Sequence, residues 1–368
     1  MALRSGGRLV TDSDVRTSVA AHHPPVGGGW SGSDHQGRPE RWTVPVPAEV
    51  AAELVSLAQE VLAEGTESGP LAPAGEVSAP ARALAEEASR RLDRGPGFVV
   101  LRGFPVTEPP QVVETAYQIF GRLLGRPVSQ TRDGEFLARV EDRGADISRP
   151  TQRGHRSASD LAFHADRTDV IGLLCVRSAA EGGLSRLVSS RILHDTIQAE
   201  RPDLLAELYG CLPNDQRGEE RPGTPGWCPL PVFSREGGDF AARYLRRFIE
   251  DSQRHPDAPR LTVRQRESMD LLDEILERPG VCLGMELHPG DLQFIDNYRL
   301  LHARTAFRDT AGEGAGRLLL RLWLAVPYSP ALPAEYAALV GDTAAGAYRG
   351  GVWPSGEFPA RVDLGAGE

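Results

Sequence analysis

The spacing of hydrophobic positions changes character along the chain. Val50, Leu54, Leu57 and Val61 recur at intervals of three and four, which puts them on one face of a helix, with Pro47 suited to its first turn and Gly65 to its end. A second helix is predicted over 80–93 and a third over 110–124, where Val113, Tyr117, Phe120 and Leu124 share a face. Between them the unbroken apolar run Phe98-Val99-Val100-Leu101, bounded by Gly97 and Gly103, reads as a buried strand.

From about residue 158 strands dominate. They are expected at 160–164, Val170 to Val176, Ser185 to Ser189, Trp227 to Phe233, Phe240 to Leu245, Val281 to Leu287, Asp291 to Ile295 and Arg317 to Val326. One helix interrupts them at 263–277, opened by a Thr262/Gln265 capping box and turning Met269, Leu272 and Leu276 inward. Many short strands with Gly/Pro turns, and helices gathered toward the amino end, predict a mainly β fold with flanking helices, a sheet sandwich or jelly roll. Residues 1–40, rich in Gly, Ser, His and Pro without a hydrophobic period, are expected to form a flexible tail, and 41–368 a single domain. The stretch 211–231 is dense in Pro, Gly and charge and reads as a long loop, either a lid or a plain surface excursion.

The composition, 40% apolar and 25% charged over 368 residues, is that of a soluble globular protein. A net charge of −10 with scattered basic residues argues against a nucleic-acid partner and leaves a small molecule as the expected one, with a homo-oligomer open. All 41 basic residues are arginine, which excludes chemistry that needs a lysine amine, such as Schiff bases or a P-loop. Cys175, Cys211, Cys228 and Cys282 lie far apart and read as reduced, mostly buried thiols. No signal-peptide core opens the sequence and no apolar run could span a bilayer, so a cytoplasmic protein without a membrane partner is expected.

The candidate chemistry begins at His164-Ala165-Asp166. Side chains two apart on a strand share a face, and the distant His302 can complete the set. Two imidazoles and a carboxylate suit Fe(II) with three open positions. The same three groups could instead hold a hydrolytic zinc, and a noncatalytic binding fold also stays open. Arg317 and Arg321, four apart in an otherwise apolar strand, share a face and call for an anionic partner, either a ligand carboxylate or an internal salt bridge. His155, His194, His255 and His288 read as solvated or hydrogen-bonded residues, and the His22-His23 pair as part of the flexible leader. Asp291 and Asp296 are alternative carboxylates for a metal, although turn formation accounts for the first and a role in orienting a ligand for the second.

Taken in order, Phe163-His164-Ala165-Asp166, Gly182-Gly183-Leu184-Ser185, Pro289-Gly290-Asp291, Asp296-Asn297-Tyr298, His302-Ala303-Arg304-Thr305 and the two arginines resemble the taurine dioxygenase/clavaminate synthase superfamily over about residues 95–330. That resemblance implies a double-stranded β-helix (jelly-roll) core and a dioxygenase using Fe(II), 2-oxoglutarate and O2. His164, Asp166 and His302 would hold the iron, Arg317 the distal carboxylate of 2-oxoglutarate, and Ser185 a hydrogen bond to the same carboxylate. Arg321 would meet an anionic group of the substrate. Apart from the resemblance, Arg243, Tyr244 and Arg246 near one strand, with the loop 211–231, are candidate substrate-pocket residues. Two departures stand out: Ser185 replaces the threonine many members carry, and the interval from His164 to Gly182 is short. The retained carboxylate of Asp166 favours oxygen insertion over halogenation. The expected reaction is hydroxylation of an unactivated C–H bond in a small polar metabolite, amino acid or natural-product intermediate, with release of succinate and CO2.

Overall fold

The computed structural model describes residues 25–65, 76–144, 157–309, 316–354, 356 and 358. Two sheets organise them. The larger has seven strands, in the order Thr43–Pro45, Phe98–Arg102, Asp291–Asp296, Val170–Arg177, Leu318–Ala325 and Arg126–Pro127, with Leu137–Val140 also paired to Leu318–Ala325. The smaller has four, in the order Leu283–Met285, Ser185–Ser189, Leu300–Arg304 and Leu161–His164.

Strand alternation sorts the side chains into layers. In the larger sheet Val99, Leu101, Val170, Leu174, Leu292, Phe294, Leu320, Leu322 and Leu324 join one core with the helices Ala48–Ala63, Ala79–Asp93 and Pro110–Leu124. Their neighbours Phe98, Val100, Ile171, Cys175, Ile295, Leu319 and Trp323 point the other way and share a second core with Leu187, Leu283, Met285 and Leu300 of the smaller sheet. The outer face of the smaller sheet, through Phe163, Val188, Leu301 and Ala303, packs on helices Ser190–Glu200, Pro202–Tyr209 and Val263–Leu276. The order is therefore helices, sheet, sheet, helices, and the gap between the sheets is where a site can form.

The three amino-terminal helices, the Phe98–Arg102 strand and the capping box at Thr262 all stand where expected. The helices at Ser190–Glu200 and Pro202–Tyr209 do not, because polar Asp195, Thr196 and Gln198 dilute the period and Pro202, seated at the first turn of the second helix, reads as a break. The stretch 211–231 is largely a hairpin, with Cys211–Asp215 antiparallel to Trp227–Pro231 and Pro213 opposite Pro229. Prolines are tolerated in a two-stranded ribbon with free outer edges, and they mask its strand pattern.

Residues 25–40 correct the expectation of a tail reaching to residue 40; residues 1–24 lie outside the described residues. Trp30 is buried against Phe98 and donates from Nε1 to the Pro96 carbonyl at 2.7 Å. Gly32 donates to the Val281 carbonyl, and a Cβ there would stand 2.1 Å from the Cys282 oxygen. Glycine here serves close backbone approach, which composition alone does not distinguish from disorder. Of the four thiols, Cys175 and Cys228 are buried, Cys282 is half-buried and Cys211 is exposed, and all are free.

Candidate functional site

Leu161–His164 pairs antiparallel with Leu300–Arg304, and in that register His302 stands directly opposite His164. The strand ends at His164, and Asp166 lies just beyond it. Among the described residues, one cluster of His, Cys, Asp or Glu brings three donor atoms within 4.8 Å of one another: His164, Asp166 and His302. His164 Nε2 is 3.9 Å from Asp166 Oδ1, and His302 Nε2 is 3.8 Å from Asp166 Oδ2. These separations are too long for hydrogen bonds and leave room for an ion between the donors. His164 Nδ1 lies 2.9 Å from the Ala162 carbonyl, so it carries the proton and Nε2 keeps its lone pair.

Electrostatics favour the metal-ready protonation state. Burial pushes both imidazoles toward the neutral form, and at His302, where His164 adds to the effect, the pKa falls to about 3. Burial alone would raise the Asp166 carboxyl. The Arg321 guanidinium works against it first, joined by the two imidazoles in acid, where they too are protonated, and by the Trp323 indole N–H, so the group lies well below the usual carboxylate range. The donor set is thus two neutral nitrogens and one carboxylate, which fits a divalent iron.

Asp166 is held from several sides. Its Oδ2 accepts from Trp323 Nε1 at 3.1 Å and from Arg321 Nη1 at 3.4 Å, and its amide donates to Asn297 Oδ1 at 3.2 Å. Arg321 also donates from Nε to Gln130 Oε1 at 2.7 Å. Although it borders the cavity, Arg321 is engaged with the aspartate, so the internal salt bridge describes it better than an open hand toward substrate. Arg243 spends Nη1 on the carbonyls of Ala165 and Asp166, at 2.9 and 2.8 Å. Tyr244 is buried in the core outside the smaller sheet, donating to Asp273 at 2.8 Å. Neither lines the cavity beside the cluster, because the 243–244 backbone runs behind the 165–166 segment, where Ala165 donates to the Tyr244 carbonyl.

That cavity lies between the sheets and is bordered by His164, Asp166, His302, Ser185, Arg304 and Arg317, with Ile171, Leu173 and Leu319 as apolar wall. Arg317 is buried and its Nη1 has no hydrogen-bond partner among the described residues. An unpaired buried cation is costly, so an anion placed beside this guanidinium would stabilise it. Gly183, at φ +70°, passes so close that a Cβ would stand 3.0 Å from Arg317 Nε, and at Gly182, φ +76°, a Cβ would stand 2.2 Å from the Ala306 carbonyl oxygen. Ser185 reaches the cavity but donates to Gln293 Oε1 at 2.9 Å.

Arg304, Trp323, Gln130 and Gln293 were not singled out from the sequence. Parity would have found two of them, since Arg304 follows His302 by two and Trp323 follows Arg321 by two. Burial lowers the Arg304 pKa to about 10, and the nearby charge of Arg317 adds to the shift. Of the remaining histidines, His194 is buried between Asp195 and Tyr209, at 2.8 and 3.0 Å, and His255 lies 3.1 Å from Asp215. His288 is exposed, 4.0 Å from Glu286, and His155 lies outside the described residues.

Residues 67–323 match the family described as "Taurine catabolism dioxygenase TauD, TfdA family". The chain belongs to this family. Among its relatives is the FR-33289 synthase of Streptomyces rubellomurinus (strain ATCC 31215), 30% identical over 302 residues, covering 78% of this chain and 86% of that protein. The enduracididine beta-hydroxylase of Streptomyces hygroscopicus is 26% identical over 303 residues, covering 68% and 85%. Among solved structures, an asparagine oxygenase in complex with Fe(II), 2S,3S-3-hydroxyasparagine and succinate superposes with a TM-score of 0.59 at 20% identity, over 77% of this chain and 93% of that one. The non-heme iron oxygenase OrfP in complex with Fe and alpha-ketoglutaric acid gives 0.56 at 16%, over 77% and 93%. As a TauD/TfdA dioxygenase the chain is an oxidoreductase, and a zinc hydrolase or a noncatalytic scaffold has no support. No helix of the described residues is long and apolar enough to cross a membrane.

Proposed function

We propose that this chain is a cytoplasmic Fe(II)- and 2-oxoglutarate-dependent dioxygenase that hydroxylates an unactivated C–H bond of a small polar metabolite, amino acid or natural-product intermediate. The carrying observation is that the His164, Asp166 and His302 donors share one cavity with the unpaired Arg317 guanidinium. One part of the cavity suits a metal and another a carboxylate, as a 2-oxo dicarboxylic acid bound to iron requires. The two facing sheets are read as a jelly-roll core within a single domain that takes in residues 25–40 as well.

In this reading His164 and His302 offer Nε2 and Asp166 one carboxylate oxygen to the ion, while Trp323 and Arg321 hold the other oxygen of that carboxylate. Arg317 binds the distal carboxylate of 2-oxoglutarate, and the Ser185 hydroxyl turns from Gln293 to add a hydrogen bond. Ile171, Leu173 and Leu319 keep water from the reacting atoms. With iron and cosubstrate bound, the centre supplies oxidative decarboxylation of 2-oxoglutarate to succinate and CO2, coupled to insertion of one oxygen atom into the substrate. Natural-product chemistry is supported by the names of the two Streptomyces relatives.

Anaerobic addition of Fe(II) and then 2-oxoglutarate should produce a metal-to-ligand charge-transfer band, and oxygen should then yield succinate. His302→Ala should abolish both. A parent protein that forms neither band nor succinate, or a His302→Ala variant that keeps the band, would overturn the assignment.

A further inference from the structure

With Arg317 assigned to the cosubstrate, a second buried guanidinium in the same cavity has no assigned partner. Arg304 lies two residues beyond His302 on one strand, so both side chains face the gap between the sheets. Like Arg317, it is 6% exposed. Its Nη2 donates to the Ser157 carbonyl at 2.7 Å and to the Ser159 carbonyl. Its Nε, like Nη1 of Arg317, has no hydrogen-bond partner among the described residues.

The two guanidiniums meet on one ring: Arg304 lies 4.7 Å and Arg317 5.1 Å from the centroid of Phe307. Two like charges share this corner without a salt bridge to either among the described residues. Carbonyl dipoles and a ring face offset a buried guanidinium charge far less than a carboxylate does. An anion seated here would therefore satisfy two cations at once.

We propose that Arg304 is a second cation for the remote carboxylate of the 2-oxo acid, acting with Arg317 across Phe307; this rests on the reading that the cavity takes 2-oxoglutarate. The consequence is selectivity. A 2-oxo acid with a second carboxylate gains from Arg304, whereas one without it does not. If Arg304 only tied down Ser157 and Ser159, its loss would affect all 2-oxo acids alike.

The test is equilibrium binding of 2-oxoglutarate and of 2-oxobutanoate, which lacks the remote carboxylate, to the full-length Mn(II)-loaded protein without oxygen, read by calorimetry. Arg304→Met should weaken 2-oxoglutarate about tenfold and leave 2-oxobutanoate within about twofold of the parent, as expected for losing one charge-assisted contact. Unchanged 2-oxobutanoate binding also reports that the site still folds. Arg304→Lys, which keeps the charge and loses the fork to the two carbonyls, should retain part of the preference. Equal weakening of both acids in Arg304→Met, or unchanged 2-oxoglutarate binding, would overturn the proposal. A parent protein with no preference for 2-oxoglutarate would instead remove the cosubstrate reading, and it is visible before any variant is made.

Discussion

Burial sets the protonation of single residues, and Asp296, next in sequence to the Asn297 that accepts from the Asp166 amide, shows how. Its Oδ1 accepts from the amides of Tyr298 and Arg299 at 2.9 and 3.2 Å, and burial pushes its carboxyl up to about 6. Between about pH 4 and 6 the folded state keeps a proton that the unfolded chain has lost, so stability falls as pH rises through that window and stays lower above it. Asp296→Asn keeps an acceptor oxygen for both amides and removes the charge. It should be more stable than the parent by roughly 2 kcal/mol at about pH 7.5, with the difference vanishing near about pH 4. Urea melts at the two pH values decide it; the same offset at both would mean that charge is not the cause. The individual ligand candidates were legible because histidine and aspartate at strand spacing are unusual on an otherwise apolar run. The partners that hold them were not, since Gln130 meets Arg321 across 191 residues and no local pattern marks such a pair.

For whole elements, alternation did most of the predicting. Leu318–Ala325 places Leu320, Leu322 and Leu324 against the helices and sends Leu319, Arg321 and Trp323 to the gap between the sheets, as the spacing of the arginines implied. The neighbouring Val170–Arg177 strand carries Gly172 on the helix side, where a Cβ would stand 2.4 Å from the Tyr117 hydroxyl and 2.7 Å from Phe294 Cε1. Gly172→Ala should therefore cost about 1–3 kcal/mol through overpacking, lowering the denaturant midpoint without changing the slope. An unchanged midpoint would show that the helix layer can shift to accept a methyl group. The elements that escaped sequence reading, such as the 190–209 helices and the Cys211–Asp215 strand of the hairpin, are those whose pattern is diluted by polar residues or proline.

Across the whole molecule, the amino-terminal segment joins distant parts of the chain. Val26 and Gly27 donate to the Asp195 carboxylate at 2.7 and 3.0 Å, Trp30 donates to the Pro96 carbonyl, and Gly32 and Ser33 donate to the carbonyls of Val281 and Gly280. One strap thus touches the outer helices, the larger sheet and the entry to the smaller one. Trp30→Ala should destabilise the protein by about 3 kcal/mol or more, as truncation of a buried indole does. Thermal unfolding compared with the parent would check this, and a loss within about 0.5 kcal/mol, the range of surface substitutions, would mean that the strap is peripheral.

By itself the sequence determined the periods, and through them the helices, most strands, the shared face of the two arginines and the candidate ligands, because each depends on neighbours a few residues away. Only the tertiary structure decided that His302 stands opposite His164, that Arg321 goes to Asp166, that Arg243 and Tyr244 lie behind the ligand segment, and that Arg304 and Arg317 meet on Phe307. Those contacts depend on strand register and sheet packing, which are fixed by the burial of side chains from the whole chain and leave no local signature.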